Sequence, residues 1–255
     1  MTNTESPPIL YKHPPITEAV IAINFKSPIK LTDINSVNKR FHTNYPQHLL
    51  LSNVTVGLHI DQAKQTATTN TNNKVDGHRH STADMTQLLV LWPNSFTISQ
   101  LAPYPGWEQF FDRFVRDWTI LKRTIGFKSI DRIGVRYINR VDIPVTAPII
   151  NHEDFLNVYP KLPDILNPIN AYALQAACEL KDINCLLTLN SADVPSPLLD
   201  RVSFLLDLDI SKVVDLPQSD NDIYNLLNKI RVKKNVIFES CISDQARNIF
   251  NEVIN

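Results

Sequence analysis

Glycine is scarce in this chain. Five occur among 255 residues, at Gly57, Gly77, Gly106, Gly126 and Gly134. No two are spaced as GxGxxG or as a P-loop, so the glycine-rich cradles that offer backbone amides to a nucleotide phosphate are missing. Cysteine is scarcer. Cys178, Cys185 and Cys241 are too few and too scattered for a disulfide framework or a Cys-rich zinc site, and such sparing use fits a reducing cytosol. There is no G-x-S-x-G elbow, and no cysteine stands near a histidine in sequence, which removes the local signatures of a nucleophile. Charge of one sign is also lacking: 25 basic and 26 acidic residues leave a net charge of −1, so a global pull toward nucleic acid or an anionic membrane is absent. No long uncharged apolar run is present to span a bilayer. The opening MTNTESPPILYKHPP has neither the basic n-region nor the apolar h-region of a secretory leader. What remains is the expectation of a cytoplasmic protein without a cofactor, its composition that of an ordinary globular domain.

The feature around which the rest is organised is Ser129 to Pro144, SIDRIGVRYINRVDIP. Successive side chains of a strand point to opposite faces. One face then carries Ile133, Val135, Tyr137, Asn139, Val141 and Ile143, and the other a stripe of Arg132, Arg136 and Arg140 with Gly134 between the first two. On either side the elements follow a similar order. After a polar, proline-broken tail at 1–13, the first half (14–128) reads as a strand at Ile16–Phe25 and a helix from Thr32 or Asp33, either of which can cap it, to His42. A short strand at Val54–Ile60 comes next, then a mobile loop over 62–75, whose Thr, Asn and Gln bury too little apolar area to offset ordering entropy. Strands near His78–Ser81, at Gln87–Trp92 and at Phe96–Leu101 lead to a helix from Trp107 to Ile125 capped by Gly126. The second half (129–255) repeats the order. It has the central strand, short helices at Asp154–Tyr159 and Leu162–Leu166, and strands at Tyr172–Leu180, Asn184–Asn190 and Arg201–Ile210. A helix capped by Ser219 or Asp220 and reaching toward Glu239 follows, and a last one runs from Asp244 to Val253. The fold class is α+β: two similar halves, each strand, helix, three or four antiparallel strands and long helix, joined through the central strand.

PPITEAVIAINF, QLLVLWPNSFTISQLAPYPGWEQF, GVRYINRVDIP and LLDLDIS together resemble a sporadically distributed family of prokaryotic proteins of about this length. PYPGWEQF followed by GVRYINR is the most specific part. Where similar sequences carry an aromatic-rich strand after the low-complexity loop, this chain has His78-Arg79-His80. The resemblance implies one shared architecture and brings no assigned activity or catalytic residue.

Three constellations could carry chemistry. Arg132, Arg136 and Arg140, with Asn139, could bind an extended anion, since strand residues four apart lie about 13 Å from each other. Equally, each arginine could pair with an acid on a neighbouring strand, and Glu18, Asp207 and Asp209 are the acids so placed. Asp207 and Asp209 alternate on one strand, their carboxylates about 6 to 7 Å apart, which suits a metal pair or acid–base work. His78 and His80 could direct two imidazoles at one metal, with His59 or Asp61 completing the set. Trp92, Tyr104, Trp107 and Trp118 could form a stacking platform, although their positions suit core packing better. The leading expectation is a non-enzymatic protein that recognises another protein, with a setting in a defence or toxin locus suggested by the sporadic distribution. An anion-binding domain and a metal-dependent hydrolase are the alternatives.

Overall fold

The computed structural model describes residues 11–61, 66–145, 150–166 and 168–251. The chain is mixed α+β, and all its described strands join one antiparallel sheet. In order come β1 (Ile16–Phe25), α1 (Leu31–Phe41), β2 (Gln47–Asp61), β3 (Thr66–Ser81), β4 (Gln87–Trp92) and β5 (Ser95–Leu101). Then follow α2 (Trp107–Ile125), β6 (Ile130–Pro144), β7 (Ala173–Leu180), β8 (Cys185–Val194), β9 (Arg201–Lys212), α3 (Asp220–Cys241) and α4 (Asp244–Asn251). The strands lie in the order β2-β3-β4-β5-β1-β6-β9-β8-β7. β6 therefore sits between β1 and β9, mid-sheet.

Alternation does the sorting. Ala19, Ile21 and Ile23 of β1, Leu89 and Leu91 of β4, Val135 and Tyr137 of β6, and Leu206 and Leu208 of β9 all point to one face and are buried. They form a single core with the inward residues of the helices. In α2 those residues are Phe110, Phe114, Trp118 and Leu121, at helical three- and four-residue spacing. The helix ends on Gly126, whose φ of 71° lies in the left-handed region and whose N–H donates to the Lys122 carbonyl at 2.8 Å. Trp118 stacks on Phe114 and Phe25, and its indole N–H reaches Asp220 at 2.9 Å. That tie, with Lys122 on the same carboxylate and Trp107 donating to Asn228, sets α2 and α3 side by side and antiparallel.

Around Tyr45 the buried polar groups are paired in a chain. Tyr45 donates to Asp117 at 2.5 Å, Arg116 grips the same carboxylate, and Arg113 reaches Tyr45 and the carbonyls of Leu88 and Ser99. Burial first, then the Asp117 charge, pushes the Tyr45 phenol well up. Ser219 caps α3 as expected, accepting from the Asp222 N–H.

Four expectations need correction. The segment 66–75 is no loop; it is the outer part of β3, paired residue by residue with β2, while 62–65 lie outside the described residues. Hairpin pairing satisfies backbone groups without apolar burial, and threonine favours strands. α1 starts on Lys30 without a side-chain cap from Thr32 or Asp33. The expected helices at Asp154–Tyr159 and Leu162–Leu166 are reduced to single 3-10 turns, His152–Asp154 and Asp164–Leu166, in a stretch interrupted by Pro160, Pro163 and Pro168. The tail is held where it is described: the His13 N–H donates to the Phe250 carbonyl, and Tyr11 bonds Glu239 and packs edge-on against Phe250. Residues 1–10 lie outside the described part.

Candidate functional site

The face of the sheet opposite the core carries the arginine stripe. Arg136 makes a two-point contact with Asp207, Nε to Oδ1 at 2.8 Å and Nη2 to Oδ2 at 2.7 Å, and Asn190 adds a third donor at 2.9 Å. Asp207 is 2% exposed and the Arg136 side chain 47%, so the acid is the buried partner and the guanidinium its lid. The Asp207 hydrogen bonds raise the Arg136 pKa. Arg132 lies along its own strand across Gly134 to reach both oxygens of Asp209, which stands opposite Arg136 in register. A Cβ at Gly134 would collide with that guanidinium, so the space beside this glycine belongs to Arg132 and not to a ligand. Arg140 pairs with Asp142, two residues on, and Ser203 donates to the same carboxylate.

Each arginine is thus committed to an acid within the fold, by charge-assisted two-point bonds. Asp207 and Asp209 hold arginines rather than converging on a shared centre. Among the described residues the Glu18 side chain has no ion pair or hydrogen bond, and it adds less to the field at Arg136 than Asp207 or Asp209 does. Asn139 is on the opposite, core-facing side, donating to the carbonyls of Tyr137 and Leu206.

The histidines assemble differently from expectation. His78 and His80 meet His48 of β2 and His42 just after α1: His48 Nε2 lies 2.9 Å from His78 Nδ1, and the His48 ring stacks 4.6 Å from His80. His42 packs edge-on against His48 and His80. His80 is fully buried, with Nε2 on the Asn38 carboxamide and Nδ1 without a partner. Burial first, then the neighbouring histidines, holds its pKa down to about 4. His59 and Asp61 do not join them. They pair with Thr68 and Thr66, while His78 pairs with Leu50, which puts them about 30 Å out along the hairpin. Among the described residues no three His, Cys, Asp or Glu side chains are arranged to hold a metal ion.

The aromatic residues serve packing. Trp107 and Trp118 are buried, Tyr104 shares a 3.0 Å hydroxyl contact with Tyr137, and the Trp92 ring covers Gly77, lying 2.5 Å from where a Cβ would stand. Sequence reading missed His152, which meets Asp193 at 3.1 Å beside Ser191. The Ser191 hydroxyl donates to the Val158 carbonyl and contacts Tyr172, so this trio lacks a serine–histidine bond and pins loops instead.

The element that leaves the sheet body is the β2–β3 hairpin. β4 pairs only with His78–Ser81, so β3 from Thr66 to Gly77 has β2 as its sole described neighbour. This two-stranded arm extends about 40 Å. A register shift at Leu51/Ser52 marks its root, where a bulge bends and twists the ribbon. From Gln47 to Ile60 the outer strand contains no Asp, Glu, Lys, Arg or Pro, and Leu49, Leu50 and Val54 are exposed on it. Among the described residues no helix is long and apolar enough to cross a membrane. Compared with known proteins, the chain matches no family model and no curated sequence.

Proposed function

We propose that the chain is a non-enzymatic, cytoplasmic binding protein that recognises another protein through the β2–β3 arm. The observation that carries this reading is the arm itself: a long ribbon whose outer edge, from Gln47 to Ile60, lacks the charges and prolines that natural edge strands use to refuse partners. A two-stranded ribbon is marginal alone and gains from a third strand or an apolar surface laid against it. The anion-binding alternative loses its free cations to Asp207, Asp209 and Asp142. The hydrolase alternative lacks a converging set of acids and imidazoles among the described residues. A role as an accessory or neutralising factor in a defence or toxin locus fits the distribution of the family that the chain resembles.

We also read the two halves as copies of one unit. β1 lies beside β5, the last strand before α2, as β6 lies beside β9, the last before α3, and β1 and β6 meet antiparallel. The test of function is capture from host lysate by the full chain and by a variant in which residues 55–72 are replaced with Asn-Gly. Val54 and Asn73 are paired, so a two-residue turn closes the shortened hairpin in register. A partner retained by the full chain and lost by the shortened one supports the proposal; equal capture by both refutes it.

A further inference from the structure

α2 contains an i, i+4 pair of opposite charge, Asp112 and Arg116, that would ordinarily close on itself along the helix. Here it does not. Arg116 turns away to Asp117 and Tyr45 through Nε and Nη2, which leaves Nη1 without an acceptor among the described residues. Asp112 has no ion pair or hydrogen bond from its carboxylate among the described residues. An open surface cleft of about 350 Å³ lies against both exposed side chains, between one stripe of α2 and the ends of β4 and β5. Its other polar walls are three carboxamides, Gln87, Gln100 and Gln109, and the Arg113 guanidinium, which is bonded to Tyr45 and to the carbonyls of Leu88 and Ser99. Gln87 and Gln100 form one rung of the β4–β5 ladder. Gln100 is 3% exposed and uses its Nε2 on the Leu101 carbonyl, while the Gln87 and Gln109 side chains have no hydrogen-bond partner among the described residues. A larger cleft at the start of α3 has part of its polar lining paired: Lys212 bonds the Asn184 carbonyl and Asn184 bonds Asp215.

We propose that this cleft binds a free α-amino acid with a polar, uncharged side chain. A carboxylate meets the open Nη1 edge of Arg116, which Asp117 already holds in place. An ammonium meets Asp112. The side chain lies among the carboxamides, which offer donors and acceptors alternately. The volume holds such a ligand with some ordered water. A simple anion leaves Asp112 facing like charge and a simple cation leaves Arg116 open, whereas a zwitterion meets both ends. This site is independent of the β2–β3 arm and stands or falls without it.

Isothermal titration of the full chain tests the site with L-glutamine, L-asparagine and L-serine, with N-acetyl-glutamine and glutamine α-amide as one-ended controls, and with inorganic phosphate. At least one free amino acid should bind in the micromolar to millimolar range, and each one-ended control about tenfold or more weakly. Asp112→Asn should weaken binding by about tenfold while melting like the parent, because the carboxylate has no partner to lose within the protein. Three results overturn the proposal: no heat from any of the three amino acids at about 10 mM, phosphate or N-acetyl-glutamine binding as tightly as the free amino acid, or unchanged affinity in Asp112→Asn.

Discussion

Truncating Arg136 tests whether the arginine stripe is structural. Arg136→Ala removes both donors that face the Asp207 carboxylate and leaves it 2% exposed with Asn190 as its remaining side-chain donor. The loss is more than that of a surface pair, for which about 0 to 1 kcal/mol is usual. It is less than that of a fully buried pair, about 3 to 5 kcal/mol, because the Arg136 side chain is half-exposed and water can enter where it stood. We expect about 2 to 3 kcal/mol, in line with charged hydrogen bonds. The assay is urea denaturation of the parent, Arg136→Ala, Asp207→Asn and the double variant at neutral pH. Removing the charge from Asp207 should recover part of the loss, giving a coupling of about 1 to 3 kcal/mol. If Arg136→Ala were as stable as the parent within about 0.5 kcal/mol, with no coupling to Asp207, the pair would contribute nothing. The guanidinium would then be free for a ligand.

Other outcomes follow from the packing. Trp118→Ala should lose about 3 to 5 kcal/mol by emptying the space between Phe114, Phe25 and Phe96. Trp118→Phe should lose less, chiefly the bond to Asp220; equal stability of Trp118→Ala and parent in urea would place this face outside the core. His80 has a folded pKa of about 4, below its ordinary 6.5, so its neutral form contributes stability that is complete above about pH 6.5 and lost as pH falls toward about 4. The urea midpoint should drop across that window, and should drop less in His80→Gln, which keeps a partner for Asn38 without titrating. Identical pH profiles for the two proteins would contradict the buried neutral imidazole. Shortening the arm across 55–72 should leave the melting temperature within a few degrees of the parent, since the described residues of the removed part pair only with one another; a collapse on differential scanning calorimetry would show that it supports the body.

Much of this architecture is legible in the order of residues. β1, β4 and α2 follow from alternation and helical spacing with their observed bounds, and the two faces of β6 from its arginines. Asp207 and Asp209 could be named as arginine partners because strand alternation fixes which acids share a face. Asp142 as the partner of Arg140 is the one local pairing in the stripe, an i, i+2 contact on a single strand. The arm was hidden because Thr/Asn composition reports burial, and a ribbon needs hydrogen-bonded rungs instead of burial. The meeting of His42 and His48 with His78 and His80 depends on long-range register between β2 and β3, and no local signal encodes it. The gap between Asp112 and Arg116 is likewise invisible, because their spacing alone spells an ordinary helix pair.

The central claim is that the arm grips a protein partner, and photo-crosslinking in the native host tests it most directly. A photoreactive amino acid is placed in turn at Val54, Thr68 and Thr71 on the arm, and at Val236 on the exposed side of α3 as control; all four positions are solvent-exposed. The account predicts that the three arm positions link to one and the same protein and that Val236 does not. Crosslinks to that protein from Val236 with none from the arm, or no crosslinked protein from any arm position, would contradict it.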